Sequence, residues 1–343
     1  MMIEGMATVR TALVLAAFAA CGRTTRSTGD VRDSLITLAT IEAAAALEAN
    51  ADEDRRLAEL GHFTIADDPA PPLRAEVLAH VRGWPIERRR RALAFLRAHP
   101  EYATLYHALV VESLGPPPAF ARRERAPATA ANAPALAADR DELAALLREA
   151  WTEGHVELLA RTLAPRWSEL QFTPHAIADH KHAVLTYLGF DGTLPRYDAL
   201  YDPLLAAMTG YGTQPADDEL LLLVGSSRTE EDRSLVLIHE FTHLPLSRIL
   251  DRPAVRAALD RAACADAKIG DRYGYGGFTS YASEALVRAI SYRVAGMPPR
   301  NTGFAFEAFF GDQLVAYEQR GDHDFAAFAP TMLLELARRE CSP

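Results

Sequence analysis

Apolar residues recur through the first third of the chain at the three- and four-residue intervals of amphipathic helices. Leu35, Ile36, Leu38 and Ile41 open one such run, and Leu73, Val77 and Val81 mark a second. Leu93, Leu96 and the 102–114 segment supply two more. Breaks fall at Gly61, at Asp68-Pro69-Ala70-Pro71-Pro72 and at Pro100, where glycine or proline interrupts the pattern. Residues 35–116 therefore read as an N-terminal helical region. The Ala/Pro/Arg-dominated stretch 117–137 reads as a linker or a long surface loop. A further helix is expected from Asp139, which stands three residues before Glu142 as in a capping box. Leu143, Leu146, Leu147, Trp151, Leu158 and Leu159 give it one apolar face.

From about residue 183 the texture changes. Residues 197–205 form a strand running into a turn, and the Gly/Tyr/Pro stretch 210–216 reads as a separator. The run Glu219-Leu220-Leu221-Leu222-Leu223-Val224, bounded by Asp217-Asp218 and Gly225-Ser226-Ser227, has the signature of a largely buried strand. Thr229-Glu230-Glu231-Asp232 then places a cap and three acids at a helix start, where the helix dipole favours them. That helix runs through Leu235, Val236, Ile238 and Phe241, and Pro245 is expected to end it soon afterwards. The predicted class is α+β: a mostly helical domain over residues 138–343, with a small sheet packed on this helix.

Composition is that of an ordinary globular chain of 343 residues, long enough for one large or two moderate domains. The net charge of −10 argues against a nucleic-acid partner. The run Arg88–Arg91 points all round a helix and reads as solvated surface. At the N-terminus, Arg10 precedes an apolar run from Thr11 to Ala20, too short to span a bilayer but suited to a signal peptide. Phe18-Ala19-Ala20-Cys21-Gly22 resembles the bacterial lipobox, which makes 1–21 a signal peptide and Cys21 the lipidated residue. Ala17-Phe18-Ala19 also fits an ordinary Ala-x-Ala cleavage site. Residues 22–34 read as a flexible tether. Export to the cell envelope follows, with membrane association through the lipid anchor only. It also makes Cys264 and Cys341 a candidate disulfide. Oligomeric state is not legible.

The candidate chemistry lies in His239-Glu240-Phe241-Thr242-His243. Four residues apart on a helix, the two histidines are separated by about 40° of rotation and about 6 Å of rise, so both imidazoles share one face. Two nitrogens so placed can chelate one Zn2+, and Glu240 is placed to act as general base on water. A catalytic zinc needs a third protein ligand. Leu246 and Ile249 occupy the positions where metzincins carry glycine and a third histidine, which excludes that class. The best downstream candidate is Glu284, on a second apolar helix with Arg288 one turn later; an ordinary Glu284–Arg288 ion pair is its competing role. Asp271, Glu307 and Asp324 are weaker substitutes. His175, His180 and His182 form a denser histidine cluster, with 180 and 182 able to share a strand face.

A His-Glu-x-x-His helix followed some forty residues later by a helical glutamate resembles the gluzincin class of metallopeptidases. More narrowly, the strand, His-Glu-Phe-Thr-His and Glu284-Ala285-Leu286-Val287-Arg288-Ala289 resemble a little-characterised bacterial gluzincin family over about residues 139–338. The second gluzincin helix often reads Asn-Glu, and this chain has Ser283-Glu284. The resemblance implies a zincin-like catalytic domain, Glu284 as third ligand, one catalytic zinc, and peptides or proteins as substrate. Tyr273, Tyr275, Tyr281 and His323 are candidate stabilisers of the developing oxyanion. An extended substrate would pair with a sheet edge, with 219–225 the candidate strand. Two alternatives stay open: a zinc hydrolase of a non-protein amide or ester, and an envelope scaffold lipoprotein with a non-catalytic metal site.

Overall fold

In the computed structural model, which describes residues 28–49, 72–99, 106–123, 134–205, 209–216, 219–227, 229–270, 277–300 and 302–341, helix α1 (Thr28–Glu48) is buried nearly all round. A helix without a polar face has to be enclosed by others. Here α2 (Pro72–Arg82), α3 (Ile86–Ala98), α4 (Tyr106–Ser113), α5 (Pro134–Thr152) and α6 (Val156–Glu169) enclose it. Its buried hydroxyls stay satisfied by turning back onto the helix: Thr37 donates to the Asp33 carbonyl at 2.7 Å and Thr40 to that of Thr37 at 2.7 Å. The tether expected over 22–34 is thus helical from Thr28, with Val31 buried; residues 22–27, Cys21 and the signal segment lie outside the described residues.

Two further expectations change in this half. Residues 117–123 fold back as a tight loop, with the Gly115 amide donating to the Ala121 carbonyl at 2.7 Å and Phe120 fully buried beneath. Helix α5 begins at Pro134 rather than at Asp139, because proline suits a first helical turn and alanine carries the best helix propensity. The arginine run of α3 is not merely solvated. Arg88 pairs with Glu149 of α5 at 3.0 Å, and Arg89 with Glu48 of α1 at 2.6 Å, so it ties three helices together.

The rest of the chain supplies α7 (Pro174–Leu188), β1 (Arg196–Tyr201), β2 (Gly210–Ala216), β3 (Glu219–Val224), α8 (Glu230–Leu250), α9 (Pro253–Ala262), α10 (Phe278–Val294), α11 (Glu307–Arg320) and α12 (Phe325–Glu340). The class is α+β, mostly helical around a three-stranded sheet of order β1-β3-β2. β1 runs parallel to β3 and β2 antiparallel to it. Period-two alternation splits β3 between two cores. Leu223 faces the core built on α1, whereas Leu222 and Val224 face a second core with Val236, Leu237 and Phe241 of α8. The boundary between these cores falls after α6, so α5 and α6 pack with the N-terminal helices.

The separator expected at 210–216 is strand β2. Its glycines and proline hid it, yet an edge strand tolerates both, and the pairing shifts register between Thr213 and Ala216, around Pro215. The 219–225 segment is the central strand, paired on both sides. Helix α8 starts as expected, with the Thr229 hydroxyl accepting the Asp232 amide at 3.0 Å. It then runs through Pro245 to Leu250, because burying Leu246, Ile249 and Leu250 offsets the lost backbone hydrogen bond. His175, His180 and His182 lie on helix α7 and not on a strand; His175 pairs with Asp179 at 3.2 Å. Cys264 and Cys341 form a disulfide with a Cα–Cα distance of 5.6 Å.

Candidate metal centre

Helix α8 presents His239 and His243 to one side, their Nε2 atoms 3.2 Å apart. Helix α10 packs on α8, with Ala282, Ala285 and Leu286 among its buried residues. This contact brings Glu284, only 3% exposed, opposite the pair. Glu284 Oε1 lies 3.5 Å from His239 Nε2, and Oε2 lies 3.6 Å from His243 Nε2. Ligands about 2.0–2.1 Å from a tetrahedral ion stand about 3.3 Å from one another. The two imidazole nitrogens stand at about that edge length, and each faces one oxygen of this carboxylate.

Glu240 points to the same place, with Oε1 3.9 Å from His239 Nε2. His239, Glu240 and His243 offer ligand atoms within 4.8 Å of one another, the one such grouping among the described residues and a set able to hold a metal ion. Burial holds both imidazoles below the ordinary histidine pKa, and the Arg288 charge acts in the same direction on each. Both are then neutral near pH 7, with lone pairs free for coordination. Burial, reinforced by the Glu284 charge, pushes the Glu240 carboxyl up to about 8.

Arg288 belongs to the same cluster. Its Nε stands 2.8 Å from Glu284 Oε1, and its guanidinium lies 4.3 Å over the Phe304 ring. Both roles weighed for Glu284 therefore coexist: it faces the histidines and pairs with Arg288.

These groups lie in a cleft of about 810 Å³ whose walls include Gly210 and Gly212 of β2, Leu222 of β3, Leu235 and Leu244 of α8, and Tyr292 of α10. Gly210 is there for clearance. A β-carbon built on it would fall 2.5 Å from Glu240 Oε1 and 2.6 Å from its Cγ. The glycine thus lets the carboxylate lie against the edge strand.

The predicted stabilisers fare differently. Tyr281 is buried away from the cleft, its hydroxyl accepting the Ala305 amide at 2.7 Å while its ring stacks on Phe304. His323 is exposed on the turn before α12 and is not a cleft residue. Tyr273, Tyr275 and Asp271 lie outside the described residues. Asp324 caps α12 by accepting the Ala327 amide at 3.0 Å. Glu307 accepts a hydrogen bond from the Thr302 hydroxyl and is not a cleft residue. The sheet edge on the cleft is β2, since β3 has no free edge. Sequence reasoning missed Tyr292, although Glu284, Arg288 and Tyr292 follow one another at four-residue steps along one face of α10. Gly210 left no signal, because its role is a contact between distant segments. No family model, curated protein or solved structure matches the chain.

Proposed function

We propose that the protein is a zinc-dependent hydrolase of the gluzincin type that cleaves peptide bonds outside the cytoplasm. The observation that carries the reading is the convergence of His239 Nε2 and His243 Nε2, 3.2 Å apart, on the Glu284 carboxylate, whose Oε1 lies 3.5 Å from the first and Oε2 3.6 Å from the second. Two imidazoles and one carboxylate are a donor set typical of an open catalytic zinc site. A divalent ion held there supplies Lewis acidity, polarising a carbonyl and lowering the pKa of water.

The chain's own residues account for the remaining steps. Glu240 takes the proton released as water attacks and returns it to the leaving amine. Its carboxylate lies beside the histidine pair, with Oε1 3.9 Å from His239 Nε2, within reach of a water held there. Edge strand β2 offers main-chain groups to an extended substrate, and Gly210 and Gly212 keep the neighbouring floor of the cleft clear. This supports a peptide over a compact ester.

Export through a lipidated Cys21 belongs to the same proposal. The Cys264–Cys341 bond supports it, since such bonds persist in oxidising compartments. No helix among the described residues is long and apolar enough to cross a membrane.

Elemental analysis combined with Glu240→Gln, assayed on casein and peptide libraries, tests the proposal. We expect one zinc per chain in both proteins and a loss of about 10²–10⁴-fold in rate for the variant. Zinc bound without Glu240-dependent hydrolysis would leave a non-catalytic metal protein. No stoichiometric metal would remove the hydrolase reading altogether.

A further inference from the structure

We propose that Arg288 is the positioning residue of this centre: mounted on the Phe304 ring, it fixes the Glu284 carboxylate in the attitude that faces both histidines. The proposal rests on the assignment of Glu284 as a ligand.

A glutamate ligand has three rotatable bonds, and a buried one left to itself has no fixed direction and no counter-charge. Glu284 is given both. Arg288, one turn further along α10, brings Nε to 2.8 Å from Oε1. Oε1 is the oxygen that faces His239, and Oε2, which faces His243, is left to the other side. The arginine N–H is not aimed along a hydrogen bond to that oxygen. The pairing therefore acts through charge and leaves the carboxylate lone pairs for a metal.

Arg288 could not do this from a floppy side chain, and it is held at one further point. Phe304 lies under its guanidinium at 4.3 Å. Glu307, in the first turn of α11, makes no ion pair with Arg288 and accepts the Thr302 hydroxyl instead. Outer partners of metal ligands commonly set affinity in this way, by about 10–100-fold.

The test uses the full chain stripped of metal and titrated with Co2+, whose visible absorption reports both affinity and ligand geometry. Arg288→Met is expected to weaken Co2+ binding by about 10–100-fold and to shift the absorption bands. Arg288→Lys should recover part of the loss. Phe304→Leu should weaken binding in the same direction by a smaller factor, because it removes the ring under the guanidinium. Wild-type affinity and bands in Arg288→Met, with Glu284→Gln impaired, would overturn the proposal. An unimpaired Glu284→Gln would instead overturn the ligand assignment on which it stands. Should Arg288→Met fail to fold, Phe304→Leu decides, because it leaves the guanidinium in place, and wild-type bands there would overturn the proposal.

Discussion

Replacing Gly210 by alanine adds one methyl group, and the structure states what that methyl meets. The new carbon would lie 2.5, 2.6 and 2.8 Å from Oε1, Cγ and Cδ of Glu240. Non-bonded heavy atoms settle near about 3.5 Å, so the carboxylate has to retreat by about 1 Å. A misplacement of that size at a reacting group costs about 10²-fold in rate, or about 2.7 kcal/mol of barrier. The backbone itself should accept the change. Gly210 lies in a strand without a positive φ, and alanine there lowers the entropy of the unfolded chain. We therefore expect unchanged zinc content, an unchanged or slightly raised Tm, and a kcat about 100-fold lower with little change in KM. Gly212→Ala is the control. Its β-carbon meets only Leu220 and Leu222, at 3.7 and 3.8 Å, so it narrows the cleft without touching Glu240 and should act on KM. Steady-state kinetics on a peptide selected from the library give both constants. A Gly210→Ala enzyme within about threefold of wild-type kcat would refute the idea that this glycine sets the position of the base.

Two more outcomes follow from features remote from the cleft. Glu42 and Asp202 are buried near Arg74, and burial, compounded for Glu42 by the Asp202 charge, raises their pKa values to about 8 and about 6. Both groups bind protons more tightly folded than unfolded, so their contribution is full at low pH and is lost as pH rises through the folded values. Tm should fall between about pH 5 and pH 8, and Glu42→Gln should flatten the slope; an equally steep variant would refute the assignment. The Cys264–Cys341 bond closes a segment with a sequence separation of 77, which in the chain-entropy account contributes about 4 kcal/mol. Cys264→Ser/Cys341→Ser should lower the denaturant midpoint accordingly with little change in metal affinity, and an unchanged midpoint would show that the bond does not form.

What the sequence made legible was local. The Thr229 cap, the apolar run of β3 and the spacing of His239 and His243 are set by neighbours in the chain, and the structure places them as expected. Glu284 is legible as a carboxylate on an apolar helix some forty residues beyond the histidines, and the structure brings it opposite them. Where distant packing decides, the reading failed. Residues 28–34 look polar alone but are drawn into a helix by the core around Val31. β2 looks like a loop until β3 supplies its hydrogen bonds, and Pro245 looks like a stop until the residues beyond it are buried. Tyr281 was chosen for its place near the ligand helix, whereas its hydroxyl already serves Ala305.

The disulfide has a topological consequence for the centre. Glu284, Arg288 and Glu307 all lie inside the covalent ring closed between Cys264 and Cys341, whereas His239 and His243 lie outside it. A metal joining His243 to Glu284 would close a second ring that shares residues 264–284 with the first. One proteolytic nick between Cys264 and Cys341 would then leave two fragments still joined by sulfur, and one between 285 and 340 would keep Glu284 on the same continuous piece as both histidines. That interlocking would keep His239, His243 and Glu284 together in a chain nicked there.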